Sequence, residues 1–256
     1  MNIYETDKLL AEYLLFHYGA AAEILSAASA GMETALFYPV RCVSECVDIS
    51  ALPAKARALD LGCAVGRSTF ELARHCIEAI GVDFSHRFVE AARAIAAGGA
   101  LRYARTDEGA LTTPLVAQIP AGVAPERVAF EQGDAMDLRT DLGTFEVVLM
   151  ANLIDRLREP LRCLTRLPAL VKPGGQLIVT SPYTWLEEFT LRANWLGGFE
   201  RDGQRVTTRE GLQQQLAPHF ELVAVKDLPF LIREHARKFQ WSVAEATIWR
   251  RNQQPA

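Results

Sequence analysis

Short, nearly all-apolar runs alternate with segments of helical period along most of the chain. Strands are predicted at residues 58–61, 79–83, 127–132, 145–151 and 175–181, with two later ones at 220–225 and 240–249. Between them, residues 68–76 have a helical pattern. A second helix places Phe84, Phe88, Val89, Ala92, Ile95 and Ala96 on one face, and a third over 204–216 begins near the capping signature Thr207-Thr208-Arg209-Glu210. Ahead of the first strand the pattern is helical. Leu9, Leu10, Tyr13, Leu14 and His17 form a stripe after a possible Asp7 cap, and an Ala-rich stretch leads to a second helical segment through Cys42 and Cys46. Residues 99–125, rich in Gly, Pro and Thr and without clear period, are expected to be an insertion or long loop. Alternating apolar strands and helices imply a parallel sheet covered on both faces. The expectation is one α/β domain over 1–256: a Rossmann-like, seven-stranded, mostly parallel sheet with helices on both faces at 55–251, and a helical N-terminal extension at 1–54.

Composition narrows the function classes. The 256 residues are 50% hydrophobic and 23% charged, and the formal charge is −4, which excludes nucleic-acid binding through a broadly basic surface. Residues 1–7 lack the charged start and apolar core of a secretory signal, and no apolar run approaches the roughly 18 residues that cross a bilayer. Five cysteines with no CxxC pair, Cys42, Cys46, Cys63, Cys76 and Cys163, suit packed, reduced thiols of a cytoplasmic protein with no bound metal.

The chemistry concentrates at the turn after the first strand. Asp60-Leu61-Gly62-Cys63-Ala64-Val65-Gly66 joins it to a helix, and ligands of such sheets bind beyond the carboxyl ends of the strands. A dinucleotide GxGxxG frame at Gly62, Ala64 and Arg67 lacks two of its three glycines. The acidic-x-Gly-x-Gly-x-Gly loop of S-adenosylmethionine-dependent methyltransferases fits with one departure, Ala64 at the middle glycine. Asp83, ending the second strand, can accept hydrogen bonds from both ribose hydroxyls, with Phe84 beside it. Asp134 and Ala135, after the third strand, can meet the edge of adenine. Asn152 and Asp155 follow the fourth strand, the position that faces the reactive end of the ligand, and Val171–Leu177 turns into the fifth. Asp60 could instead cap a loop, Asp134 form a turn and Asp155 cap a helix. Cys63 has no neighbouring base and suits packing better than nucleophilic attack. This ordered set over 58–181 resembles class I methyltransferases, which implies S-adenosyl-L-methionine as cofactor and S-adenosyl-L-homocysteine as product.

The flanks are more specific. Residues 4–19 (YETDKLLAEYLLFHYG) and 229–251 (PFLIREHARKFQWSVAEATIWRR) resemble the ends of the 4-mercaptohistidine N1-methyltransferase family of ovothiol biosynthesis. The resemblance implies N-methylation of the imidazole ring of 4-mercaptohistidine (5-thiohistidine) to give ovothiol A, with functional coupling to a separate sulfoxide synthase, since five histidines and 256 residues suit the methyltransferase alone. Arg41 and Arg233 are candidates to clamp the substrate carboxylate. His17, Tyr18 and His235 could contact substrate or accept a proton, and Tyr13, Tyr18 and Tyr183 could wall the pocket. His17 also lies on an apolar stripe, where a satisfied core histidine is the competing reading. The alternatives for the chain are methylation of another small histidine-like or thiol-bearing metabolite, and a non-catalytic cofactor-binding partner of the synthase.

Overall fold

A computed structural model describes residues 3–25 and 31–253. Eleven strands and eight α-helices are present among them. The helices are α1 (Asp7–Tyr18), α2 (Ala21–Ile24), α3 (Tyr38–Ser44), α4 (Arg67–Leu72), α5 (His86–Gly98), α6 (Pro160–Leu164), α7 (Leu167–Leu170) and α8 (Thr208–Leu216). The strands are β1 (Arg57–Leu61), β2 (Glu78–Asp83), β3 (Ala100–Glu108), β4 (Leu111–Gln118), β5 (Val128–Gln132), β6 (Phe145–Ala151), β7 (Val171–Ser181), β8 (Phe199–Arg201), β9 (Gln204–Val206), β10 (Phe220–His235) and β11 (Lys238–Arg251).

Seven strands form one sheet in the order β10-β11-β7-β6-β1-β2-β5. The five from β7 to β5 run parallel, and β11 is antiparallel to both β7 and β10. The strands read as unbroken apolar runs because both faces are covered. Leu59, Leu61, Val148, Met150, Leu177 and Val179 pack with residues of α6, α7 and α8. Ala58, Ala79, Val147, Leu149 and Ile178 point the other way, onto Cys42 and Val43 of α3, Cys46 just after it, and Leu72 of α4. All five cysteines are free and buried, and burial pushes the Cys63 thiol well above its ordinary value.

Several expectations need correction. Thr6, not Asp7, caps α1, its hydroxyl accepting from the Leu9 N–H at 3.3 Å. The helix expected over 68–76 is α4, which ends at Leu72. Phe84 lies outside α5 and is exposed, because Ser85 caps that helix and starts it one residue later. Residues 204–206 are strand, and α8 begins after Thr207 in a complete capping box with Glu210. Most of the supposed loop at 99–125 is a hairpin, β3 and β4, whose pairing runs from Ala100 with Gln118 to Glu108 with Leu111. The two late strands are one long hairpin over 220–251. The N-terminal region is helical only in part: its Ala-rich stretch begins as the short α2, and residues 26–30 lie outside the described residues.

Candidate active site

A cavity of about 530 Å³ opens where the carboxyl ends of β1, β2 and β6 meet α1. It lies where doubly wound sheets bind ligands, and its size suits a small-molecule site. The glycine turn forms one wall. Gly62 has φ +75°, a conformation that favours glycine, and a Cβ there would come within 3.0 Å of the Leu153 side chain, which would have to give way. The Gly62 and Cys63 N–H groups both donate to the Val82 carbonyl, at 2.8 and 3.1 Å. Ala64, with φ +48°, donates its N–H to Asp83 Oδ2 at 2.8 Å, and the Ser85 N–H donates to Oδ1 at 2.8 Å. Burial still outweighs these bonds and pushes the Asp83 carboxyl up to about 6. The Gly133 N–H donates to the Asp83 carbonyl at 2.9 Å, and Asp134 Oδ1 accepts from the Met136 N–H at 2.8 Å, which places Asp134 and Ala135 on the same wall.

The facing wall comes from α1, from Tyr38 and Pro39, and from β10. Tyr13 packs against Phe88 with ring centroids 4.7 Å apart, and Phe16 stacks on Tyr38 at 6.0 Å. The Tyr38 hydroxyl donates to Asn152 Oδ1 at 2.7 Å and lies 2.6 Å from Thr180 Oγ1. Asn152 is held at φ +51°, its N–H bonded to the Thr180 carbonyl at 2.8 Å. With Oδ1 committed to Tyr38, the group Asn152 can offer a ligand is its NH₂. His17 is also on this wall, 8% exposed, with Nδ1 unpartnered; burial lowers its imidazole to about 3, so it is neutral.

Thus the cavity brings together Gly62, Ala64, Asp83, Phe84, Asp134, Ala135, Asn152 and His17. It does not bring in the others. Asp60 is buried behind the loop, bonded by Thr69 Oγ1 at 2.7 Å, and Cys63 and Gly66 are packing positions. Tyr18 donates its hydroxyl to the Val65 carbonyl at 2.7 Å, tying α1 to the outside of the turn. Asp155 is neither on the wall nor a helix cap. It is buried and accepts from the Thr184 N–H at 2.9 Å and Arg156 Nη1 at 3.2 Å.

Neither predicted clamp reaches the site. Arg41 bonds Glu45 and the Thr34 and Pro229 carbonyls. Arg233 is buried against Asp107 Oδ1 and the Glu23 and Ile24 carbonyls, each at 3.1 Å. Successive strand residues face opposite ways, so its neighbour Ile232 lines the cavity instead. His235 sits by the β10–β11 turn, accepting from the Arg237 N–H, and Tyr183 donates its hydroxyl to Glu245. Sequence reasoning missed Tyr4, Ser68, Tyr38, Phe88, Arg156, Arg158, Glu188 and Phe189 on the wall. The sequence signal available for Tyr4 was its place in the distinctive YETD segment.

The donor and acceptor set fits S-adenosylmethionine. A cavity-facing carboxylate at Asp83 suits a vicinal diol, Asp134 and Ala135 an adenine edge, and the glycine turn a close-lying ligand backbone. Among the described residues no cluster of His, Cys, Asp or Glu could hold a metal ion.

Comparison with known proteins agrees. The structure of the cyclase SpnF superposes with TM-score 0.60 over 98% of this chain and 94% of that one, at 19% identity. An S-adenosylmethionine-dependent methyltransferase of Methanosarcina mazei gives 0.53 over 80% and 96%, at 16% identity. The YcgJ protein of Bacillus subtilis gives 0.52 over 81% and 97%, also at 16%. At these identities the likeness establishes the fold. The family model described as "Methyltransferase domain" matches residues 37–220, and the chain belongs to that methyltransferase family.

Proposed function

We propose that the protein transfers a methyl group from S-adenosylmethionine to a ring nitrogen of 4-mercaptohistidine, giving ovothiol A and S-adenosylhomocysteine. One observation carries this reading. The two flanks that resemble the thiohistidine family are far apart in sequence, yet both reach the cavity: Tyr4, Tyr13, Phe16 and His17 from one, Ile232 from the other. The segments with the most distinctive sequence therefore build the wall opposite the glycine turn, where an acceptor would lie.

The bound cofactor supplies an electrophilic sulfonium methyl group. Asp83 accepts its ribose hydroxyls while the turn fixes the carboxylate through Ala64 and Ser85. Asp134 and Ala135 take the base. Asn152 offers its NH₂ beside the transferring methyl, oriented by Tyr38. A thiolate is intrinsically the better nucleophile toward a sulfonium, so selecting nitrogen is a matter of orientation, which can contribute up to ~7–11 kcal/mol in well-aligned systems. Tyr13 and Phe16, backed by the buried Tyr38, give a flat ring an aromatic surface to pack against, exclude water, and attract the positive charge as it passes from sulfur to ring. With Arg41 and Arg233 occupied elsewhere, Arg158, exposed on the cavity wall, is the cation for the substrate carboxylate. The sulfur-bearing substrate would come from a separate sulfoxide synthase.

Mass spectrometry tests the reading. Purified protein, S-adenosylmethionine and 4-mercaptohistidine should yield a product heavier by one CH₂, with fragments that place the methyl on the ring. A methyl on sulfur overturns the regiochemistry, and no methylation overturns the substrate.

A further inference from the structure

His17 is a polar group on an aromatic wall. Tyr13 stacks on its ring at 5.9 Å and 28°, and Phe16 meets it edge-on at 5.4 Å and 75°. Nearby on the same side are Tyr38, whose hydroxyl is committed to Asn152 and Thr180, and the apolar Pro39 and Ile232. The imidazole is more than nine-tenths buried, and its Nδ1 has no hydrogen-bond partner. Polar groups this deeply buried in native proteins are paired in the large majority of cases, so an imidazole with no hydrogen-bond partner on a cavity wall points to a ligand that completes it.

We propose that His17 reads the ring of the methyl acceptor: its imidazole hydrogen-bonds the polar edge of a flat nitrogen heteroaromatic ring and turns the acceptor nitrogen toward the methyl group. This deepens the methyltransferase reading and rests on it. The N–CH₃ bond forms as the S–CH₃ bond breaks, sulfur keeps the electron pair, and the ring's N–H proton passes to water after transfer. His17 gains no proton; its part is to bind and orient. Its neutrality suits that part, because a protonated imidazole would repel the positive charge that moves from sulfur to ring.

Two variants test this. His17→Phe keeps a flat ring and removes both nitrogens, and His17→Asn restores a hydrogen-bonding amide in place of the imidazole. The readouts are kcat/KM for 4-mercaptohistidine, calorimetric binding of histidine and 4-mercaptohistidine to protein saturated with S-adenosylhomocysteine, and affinity for S-adenosylhomocysteine itself. The Phe variant should lose about tenfold or more in kcat/KM and ring-ligand affinity, with Asn recovering most of it and S-adenosylhomocysteine binding unchanged in both. Equal ring-ligand affinity in all three proteins would make His17 a packing residue and overturn the proposal. So would a loss confined to S-adenosylhomocysteine, which would assign His17 to the cofactor, or a wild-type protein that binds neither ring ligand. Should the wild type bind a ring ligand through His17 yet methylate no thiohistidine, the substrate assigned above falls and the role of His17 stands.

Discussion

The Ala64 N–H donates to Asp83 Oδ2 at 2.8 Å, so the turn after β1 and the carboxylate ending β2 form one hydrogen-bonded unit. The bond keeps the carboxylate on the cavity wall, although burial raises its pKa to about 6. Hydroxyls that donate to Asp83 favour its ionised form, so its pKa must be lower in the bound state than in the free one. Affinity for S-adenosylhomocysteine should therefore be constant above about pH 7 and fall as the pH drops through 6, by at most about tenfold per unit. Asp83→Asn should bind more weakly by about 1–3 kcal/mol at pH 8 and lose this pH dependence. Calorimetric titrations of both proteins from pH 5 to 8 check it, and a parallel decline in the two would remove Asp83 from the cofactor site.

Ala64 holds the same turn at φ +48°, a conformation that costs an L-residue roughly 1–2 kcal/mol. Ala64→Gly relieves that strain and loses part of the gain through the freer unfolded chain. The net expectation is up to about 1 kcal/mol of stabilisation, or a rise in Tm of about 2–4 °C. Thermal unfolding measures it; a fall in Tm would mean that the methyl packs favourably.

Asp60, beneath the turn, is raised to about 7 by burial, and its Oδ1 has no partner. In the unfolded chain the carboxyl titrates near 4, so between about pH 4 and 7 the folded state binds the extra proton. Stability is then lost as the pH rises through that window, and the full penalty applies above it. Asp60→Asn keeps the acceptor for Thr69 without the charge. It should be more stable than the wild type at pH 8 and differ little at pH 4, as urea unfolding at the two values would show.

The legible parts of the molecule were those fixed by local geometry. A strand, a glycine turn and a helix constrain one another within a dozen residues, so the places of Gly62, Asp83 and Asp134 on the wall follow from spacing. The arginines were not legible, because a strand side chain's destination depends on which face the register turns inward. Ile232 and Arg233 differ by one residue and point to opposite sides. The hairpin at β3 and β4 did leave a trace in the alternation of Leu101 with Tyr103 and of Leu115 with Ala117 around the Gly109 turn. Apolar Ala104, Leu111 and Val116 on its exposed positions and polar Arg105, Asp107 and Thr113 on its half-buried ones hide that period.

Arg233 is accordingly expected to act on stability. Arg233→Ala strips Asp107 and two carbonyls of a buried partner, while Arg105 still bonds Asp107 and the Glu23 carbonyl. The loss should be about 2 kcal/mol, with KM for the acceptor unchanged below the transition. Arg158→Ala should do the opposite, raising that KM about tenfold with Tm and cofactor affinity intact. Paired unfolding and steady-state measurements separate the two, and a KM effect confined to the Arg233 variant would restore it as the clamp.

Tyr38 offers a test of the methyl end. Its hydroxyl proton goes to Asn152 Oδ1, which fixes the rotation of the amide and holds a residue whose φ of +51° is otherwise strained. Tyr38→Phe keeps the ring stacked on Phe16 and removes that restraint. It also leaves Thr180 Oγ1 without the hydroxyl, so a stability loss of about 0.5–1.5 kcal/mol is expected. Once free, the amide can rotate, and a donor misplaced by an ångström beside the transferring group can cost about a hundredfold. The expected result is therefore a fall in kcat of tenfold or more, roughly, with affinity for S-adenosylhomocysteine and KM for the acceptor little changed. If KM rises and kcat holds, Tyr38 and Asn152 bind the acceptor in its ground state and have no preference for the geometry of transfer.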